Sequence, residues 1–295
     1  MSAPPQIERE WFHWGNSDMR VMLDNGIFGH SQFAESVLGP QGPRFGIHDQ
    51  DNQVWGFVRK TLDPDREYQS QIDALFTVGR LIREKRIEAF TYCELMFESF
   101  NRVIGETAFD AFAGCARSDC PPALMRSRFR GGDGFAFARK GGKKDRKRGL
   151  DTGLSQIDFM EWLCTLDDRH IAAILECNAI LGLTEFEIGS LRNLSCFQRL
   201  CAISQSQENY PDMFHLWTAQ RNRMDVFLTL EKKLTQIFKH IEHARIIEIE
   251  HQTTVLRPLE FLRLLGVAEP DPVPIEPGRF YPAHEFMKLP QWVGK

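Results

Sequence analysis

The sequence predicts an α/β fold, a three-layer parallel sheet with helices on both faces and a large helical insertion. Two observations predict it. Short apolar runs of strand length alternate with longer segments of helical periodicity, which is typical of a parallel sheet covered by helices. A long block, residues 105–205, separates the two halves of this pattern and contains several helical segments.

The composition is that of a globular chain. With 295 residues, of which 42% are hydrophobic, it can bury one large core or two modest ones. The net charge is only -4, so attraction to nucleic acid must be local. The N-terminus has no basic region followed by an apolar stretch, and no apolar run is long enough to span a bilayer. We therefore expect a soluble, cytoplasmic protein without a membrane partner.

Cysteine usage is that of a reducing compartment. The seven cysteines form an odd set without a Cys-x-x-Cys pair. This argues against a disulfide framework and against a zinc ribbon. Mostly buried, reduced thiols are expected.

Strands are predicted from the apolar runs. Residues 19–23 and 225–229 have the composition of buried strands, and 87–91 and 245–249 are weaker candidates. Because the candidates are separated by helical segments, they are expected to form one parallel sheet.

Helices are predicted from periodicity and start signals over 69–84, 92–104, 212–222 and 231–243. Thr91 and Glu94 have capping-box spacing at the start of the second of these. Three more helices are expected within 155–200. One of them runs from near Asp168 to Gly182, and the next begins at Thr184 with Glu187 three residues on.

A basic loop is predicted over residues 126–149. Between Arg126 and Arg148 there are ten Lys/Arg against two Asp, a local balance of 10 - 2 = +8. Glycines and phenylalanines among the charges remove any helix or strand periodicity. The loop is either a solvated segment or a surface that contacts RNA phosphates, and the candidate contacts are Lys143, Lys144, Arg146, Lys147 and Arg148.

The two ends of the chain are predicted to lie outside the core. Residues 1–18 form an N-terminal extension. Residues 268–295 form a proline-rich tail whose six prolines should prevent any regular element. The tail is expected to lie extended over the surface through Phe280, Tyr281, Phe286 and Trp292.

Several carboxylates are predicted to meet at one edge of the sheet. Asp24 ends the first strand, and carboxyl ends of parallel strands share an edge where ligands bind. Asp212 and Glu231 begin helices whose N-termini pack at that edge, and Glu98 lies one turn after Glu94. Clustered carboxylates stay ionised only beside a cation, and oxygen ligands suit Mg²⁺ or Mn²⁺. Such a site can activate water against a phosphodiester.

With these acids the sequence resembles the PIN-domain nucleases. The closest stretches are 211–219 (PDMFHLWTA) and 224–234 (MDVFLTLEKKL), which look like the third acid of the family with its helix, and its strand ending in Thr and an acid. Residues 21–24 (VMLD) resemble the first acid motif, and 91–98 (TYCELMFE) the second. Residues 246–265 are similar to the last strand and closing helix.

The resemblance implies a PIN-like, Rossmann-like nuclease domain over 19–104 and 206–267, with 105–205 inserted. It implies a metal-dependent endoribonuclease that leaves 5'-phosphate and 3'-hydroxyl ends, and the basic loop adds single-stranded RNA as the expected partner. The implied catalytic acids and metal ligands are Asp24, Glu98, Asp212 and Glu231, with Glu94 competing for the second position. Thr229 would contribute a hydroxyl beside the metal and substrate. An inhibitory protein and a homodimer are open as partners.

Other interpretations stay open. Asp212 and Glu231 also suit helix starts, Glu94 suits a capping residue, and Thr229 suits a β-branched strand position. His215 is either packed or near phosphate. Histidines 240, 243 and 251 fit a solvated helix face better than a zinc site. At the level of function, the alternatives are a structure-specific DNA nuclease and a non-catalytic PIN-like scaffold, the latter favoured by Asn25-Gly26 after the first acid and by Glu231 where the family commonly has Asp.

Overall fold

The computed structural model describes residues 19–40, 53–100, 107–129, 156–204, 206–239, 253–286 and 288–289. No helix in these ranges is both long and apolar enough to cross a bilayer. The chain is an α/β protein whose main sheet has five parallel strands in the order β6-β4-β1-β7-β8. These strands are β1 Met19–Leu23, β4 Ile87–Thr91, β6 Arg117–Asp119, β7 Val226–Leu228 and β8 Thr254–Leu256.

The predicted strands at 19–23 and 87–91 are confirmed, and the one at 225–229 is confirmed with a shorter extent. The candidate at 245–249 lies outside the described residues. β6 and β8 were not predicted, because three residues are too few to show a period. β6 belongs to the block expected to be an insertion, so the main sheet includes part of that block.

A second sheet was not predicted and is antiparallel, in the order β5-β2-β3-β9. Its strands are β2 Gln32–Pro40, β3 Gln53–Arg59, β5 Thr107–Asp110 and β9 Phe280–Pro282. β2 and β3 carry Gly39 and Gly56 and mix polar with apolar residues, so their alternation is weak. The predicted parallel sheet is confirmed by β1, β4 and β7, and this second sheet is an addition to it.

Helices pack on both faces of the main sheet. Val21 and Leu23 of β1 belong to one hydrophobic cluster, with residues of α2 (Arg66–Arg83) and α11 (Pro258–Leu264). Met22 points the other way, into a cluster with α4 (Gln156–Thr165), α8 (Leu194–Ile203) and α9 (Tyr210–Arg221). The two clusters give the sheet an apolar core on each side, as buried parallel strands require.

The remaining helices are short. They are α1 Asn25–His30, α3 Cys93–Phe100, α5 Asp168–Glu176, α6 Asn178–Leu181, α7 Glu185–Arg192, α10 Lys232–Lys239 and α12 Ala283–Phe286. The predicted helix from Asp168 to Gly182 is interrupted at Cys177, and Gly182 ends it with a left-handed φ of 61°. The predicted start at Thr184 is confirmed by a reciprocal capping box with Glu187.

The prediction that the proline-rich tail lacks regular elements was wrong. Residues 280–282 form β9 against β3, and α12 follows directly. Tyr281 and Phe286 are buried, and Phe280 lies so close to Gly39 and Gly56 that a Cβ at either glycine would overlap its ring. The tail is an integral part of the second sheet, while Trp292 lies outside the described residues.

Candidate active site

The strand order creates a crevice between β1 and β7. From β1 the chain first builds outward to β4 and β6, and then returns to the other side of β1 to build β7 and β8. In open α/β sheets, ligands bind at such a reversal, beyond the carboxyl ends of the strands. Asp24 directly follows β1 and Thr229 directly follows β7, so both residues lie at this point.

Asp24 and Thr229 are joined by a hydrogen bond. Thr229 Oγ1 donates to Asp24 Oδ2 over 2.7 Å, and both residues are buried. The same hydroxyl accepts from the Glu231 backbone N–H at 3.0 Å, and the Asp24 N–H donates to Leu228 O. The hydroxyl thus fixes the orientation of the carboxylate. The role of this hydroxyl beside a metal and substrate stays a prediction.

Asp212 and Glu231 face one cavity of about 240 Å³. Asp212 lies in the first turn of α9, and Glu231 immediately precedes α10. Because α9 runs antiparallel to β7, which it precedes, its first turn lies at the carboxyl edge. The lining residues are Glu208, Asn209, Asp212, Glu231, Lys233, Leu234 and Ile237. The structure therefore brings the third and fourth predicted acids to one cavity and adds Glu208, which belongs to no sequence motif.

The second acid has a different setting. Glu94, in the first turn of α3, is buried, and its Oε2 accepts from Arg126 Nη2 at 3.3 Å. Arg126 begins the predicted basic loop and forms a short 3₁₀ turn with the residues up to Phe129. The side chain of Glu98, also in α3, lies outside the described set, so its assignment stays a prediction. The same holds for the five basic residues of segment 143–148 and for histidines 240, 243 and 251.

A buried Tyr–His pair, which was not predicted, connects two elements near the site. The Tyr92 hydroxyl, just beyond β4, hydrogen-bonds to His215 Nδ1 of α9, and both side chains are buried. Their rings meet edge to face with centroids 5.6 Å apart. Of the two interpretations of His215, packing is supported. The pair ties the helix that carries Asp212 to the end of β4, a contact between distant residues that no local pattern reveals.

The predicted metal site requires several acidic side chains close together. Across the described ranges, no three His, Cys, Asp or Glu side chains come together in a group that could hold a metal ion. The carboxylates instead form smaller sets, with Asp24 bonded to Thr229, and Asp212 in the lining of one cavity with Glu208 and Glu231. Mg²⁺ is commonly held by one or two carboxylates together with waters and substrate phosphates. The Asp212–Glu231 cavity fits that simpler donor set, and the predicted four-acid cluster is not assembled by the described side chains alone.

Comparison of the chain with protein-family models, with curated proteins and with solved structures gave no match.

Proposed function

We propose that this chain is a PIN-like, metal-dependent endoribonuclease that hydrolyses phosphodiester bonds to 5'-phosphate and 3'-hydroxyl ends. The observation that supports this most is the hydrogen bond from Thr229 to Asp24 across the reversal point of the sheet. It holds a buried carboxylate in the crevice where α/β folds bind ligands. Residues 105–205 are the insertion of this proposal, except for β6, which pairs with β4 in the main sheet, and the cytoplasm is the proposed location.

In this proposal the acids share a Mg²⁺ or Mn²⁺ site. Asp212 and Glu231 would hold the ion from their common cavity, with Asp24 and Glu98 as the further carboxylates. Such an ion supplies a water of lowered pKa and neutralises charge on the phosphate. Thr229 positions Asp24 through Oδ2, and the Tyr92–His215 pair positions the helix that carries Asp212. Lys233, in the wall of the same cavity, is a cation for a substrate phosphate.

Single-stranded RNA is the proposed substrate. Arg126 contacts Glu94 in α3, the helix that follows β4 at the carboxyl edge, so the basic segment starts beside the candidate site. A carboxylate-rich edge repels phosphate, and a nearby cationic segment offsets this repulsion. The proposed phosphate contacts are Lys143, Lys144, Arg146, Lys147 and Arg148.

A cleavage assay tests the proposal. Purified protein should cut single-stranded RNA in Mn²⁺ or Mg²⁺, leave 5'-phosphate ends, and stop in EDTA. Asp24→Asn should abolish cutting, whereas Asp271→Asn, which removes a half-exposed carboxylate paired with Arg80, should not. Preferential cutting of DNA would support the DNA nuclease instead. Wild-type protein that cuts neither nucleic acid in either metal would contradict the proposal.

A second candidate is a non-catalytic PIN-like scaffold that binds RNA or a protein partner. The pairing of Glu94 with Arg126 favours it, because that carboxylate is already neutralised by a protein cation. So does the absence of a three-ligand group among the described side chains. RNA binding that persists in wild type without any cutting would assign the chain to this class. The oligomeric state of the purified chain in solution would then show whether its partner is a second copy of the chain or an inhibitory protein.

A further inference from the structure

Arg257 is a buried cation whose hydrogen bonding is incomplete. It is the first residue after β8 and is 4% exposed. Its Nη1 pairs with Oε1 of Glu67, while Nε and Nη2 are buried without a hydrogen-bond partner in the described part of the chain. A buried donor of a charged group is costly to leave unpaired, so these two atoms need an explanation.

The guanidinium lies next to the candidate active site. The Thr229 N–H donates to Leu256 O, so the residue after Leu256 lies beside the end of β7. Glu67 belongs to the first turn of α2, and its other oxygen lies 3.8 Å from Nζ of Lys232, the residue after Glu231. Arg257 and Lys232 are therefore both paired with the Glu67 carboxylate.

Two side-chain cations, Arg257 and Lys232, converge on the Glu67 carboxylate. Two other carboxylates nearby bind backbone N–H groups, Asp65 those of Glu67 and Tyr68 at the start of α2, and Glu260 that of Arg257. Although burial alone would raise it, hydrogen bonds from Gln71 and Arg257 hold the pKa of Glu67 below its usual range. The Glu67 side chain is 48% exposed and that of Lys232 is 60% exposed, against 5% for Arg257. A half-exposed carboxylate is bound weakly and can move into solvent.

We propose that Arg257 and Lys232 form a phosphate-binding subsite, which the Glu67 carboxylate occupies while no phosphate is bound. When Glu67 moves away from Nη1, that nitrogen and the unpaired Nη2 present two N–H donors that match two oxygens of a phosphate group. As a substrate contact the subsite rests on the proposed function, because it would hold a backbone phosphate of the RNA next to the acidic cavity.

Titration with inorganic phosphate tests the subsite, by calorimetry in EDTA and without metal. Glu67→Gln should bind phosphate at least about five-fold more tightly than wild type, because the competing carboxylate lowers the fraction of sites that are open. The matched control is Glu84→Gln, which removes an exposed carboxylate of similar exposure, paired with Arg80 at the other end of α2. It should bind like wild type. Equal phosphate affinity in Glu67→Gln and Glu84→Gln would overturn the subsite.

Two further variants identify the groups that bind. In the Glu67→Gln background, Lys232→Ala removes an exposed cation, and Arg257→Lys keeps the charge but loses the two-donor edge. Each should reverse most of the gain in phosphate affinity. Because Arg257 is buried, its variant is compared with Glu67→Gln by urea unfolding first, and Lys232→Ala carries the test if Arg257→Lys is unstable. Affinity unchanged by Lys232→Ala would overturn the proposed site.

A single-stranded RNA with a 5'-hydroxyl end separates the two sources of phosphate. If Glu67→Gln also tightens binding of this RNA, the ligand is a backbone phosphate, as proposed. If it tightens inorganic phosphate only, the site takes a free phosphate and the substrate role is overturned. Since binding is measured in EDTA, it is independent of cleavage. If Glu67 controls phosphate binding but the protein cuts no RNA, the subsite is retained and the nuclease is excluded. If the protein cuts RNA but Glu67→Gln leaves phosphate binding unchanged, the nuclease is retained and the subsite is excluded.

Discussion

Thr229 Oγ1 and Asp24 Oδ2, 205 positions apart in the sequence, lie 2.7 Å apart in the fold. The bond joins the carboxyl ends of β1 and β7 at the place where the strand order reverses. Since Thr229 also accepts the Glu231 N–H, one hydroxyl links the first predicted acid to the backbone of the fourth. Thr229 therefore has a structural role at the position that we propose for the site.

The first prediction concerns the stability of this link. Thr229→Val removes the hydroxyl from a fully buried position at nearly constant volume and leaves the Asp24 carboxylate and the Glu231 N–H without this partner. The free energy of unfolding in urea should fall by about 1.5–3 kcal/mol, the contribution of a hydrogen bond to a charged group. Thr229→Ser keeps the hydroxyl and serves as the control. Equal losses in the two variants would show that packing of the methyl group, and not the hydrogen bond, stabilises this position.

The central strands and the edge where the acids lie could be predicted from the sequence because their signals are local. Met19–Leu23 and Ile87–Thr91 are apolar runs because both faces of a parallel strand are buried, and this signal is local. Strand ends and helix starts are local too, which is why Asp24, Asp212 and Glu231 were assigned to one edge. Their distances to one another depend on tertiary packing, and no pattern revealed that Asp212 and Glu231 share a cavity while Asp24 bonds to Thr229.

The elements that escaped prediction depend on contacts between distant segments. Gly39 and Gly56 weaken the strand pattern of β2 and β3, yet they are the positions over which the Phe280 ring packs. Phe280 in turn belongs to a tail whose prolines argue against a strand. Likewise, Arg257 meets Glu67 across 190 positions of sequence, and Tyr92 meets His215 across 123. Single-sequence periodicity contains no information on such pairs.

The second prediction concerns the metal. If the carboxylates at this edge bind a divalent ion in the folded state only, the midpoint of thermal unfolding should rise in millimolar Mn²⁺. Asp24→Asn should lose most of that rise, and Asp271→Asn, at a carboxylate paired with Arg80, should retain it. Calorimetry with and without Mn²⁺ measures both. A wild-type midpoint that Mn²⁺ leaves unchanged would remove the metal site from the proposal.

The third prediction separates the two candidates for the second acid. Glu94→Gln removes the charge partner of Arg126 at a buried position, so it should lower the free energy of unfolding by about 1–3 kcal/mol and leave RNA cleavage in place. Glu98→Gln should abolish cleavage with little change in stability. Urea unfolding and an RNA cleavage assay on the same two proteins decide between them. The reverse result would make Glu94 the metal ligand and Arg126 its partner in the metal-free protein.

The fourth prediction tests the packing of the cysteines. Burial raises the pKa of the Cys120 thiol to about 12, whereas Cys177, between α5 and α6, is exposed. Because the thiolate is the nucleophile, iodoacetamide near pH 8 should modify Cys177 first and leave Cys120 unmodified until the protein unfolds. Mass spectrometry of digested protein after timed labelling measures both rates. Cys120 labelled as fast as Cys177 in folded protein would mean that the segment after β6 is not packed as described.

The last prediction concerns the basic segment. If Lys143, Lys144, Arg146, Lys147 and Arg148 each meet one phosphate of a single strand, RNA binding releases counterions at each contact. Replacing all five by Gln should then reduce the slope of log affinity against log salt by about 3.5 units, at 0.7 per contact for single strands. Thermal stability should be unchanged, because these residues are expected to lie outside the core.

The matched control replaces five exposed cations elsewhere by Gln, namely Lys85, Arg86, Arg169, Arg192 and Arg279. Its slope should equal that of wild type, since the net charge changes by the same amount but no phosphate contact is removed. Parallel slopes for all three proteins would show that the segment is only a solvated linker, and RNA would then have to be held by the carboxyl edge itself, through cations such as Lys232, Lys233 and Arg257.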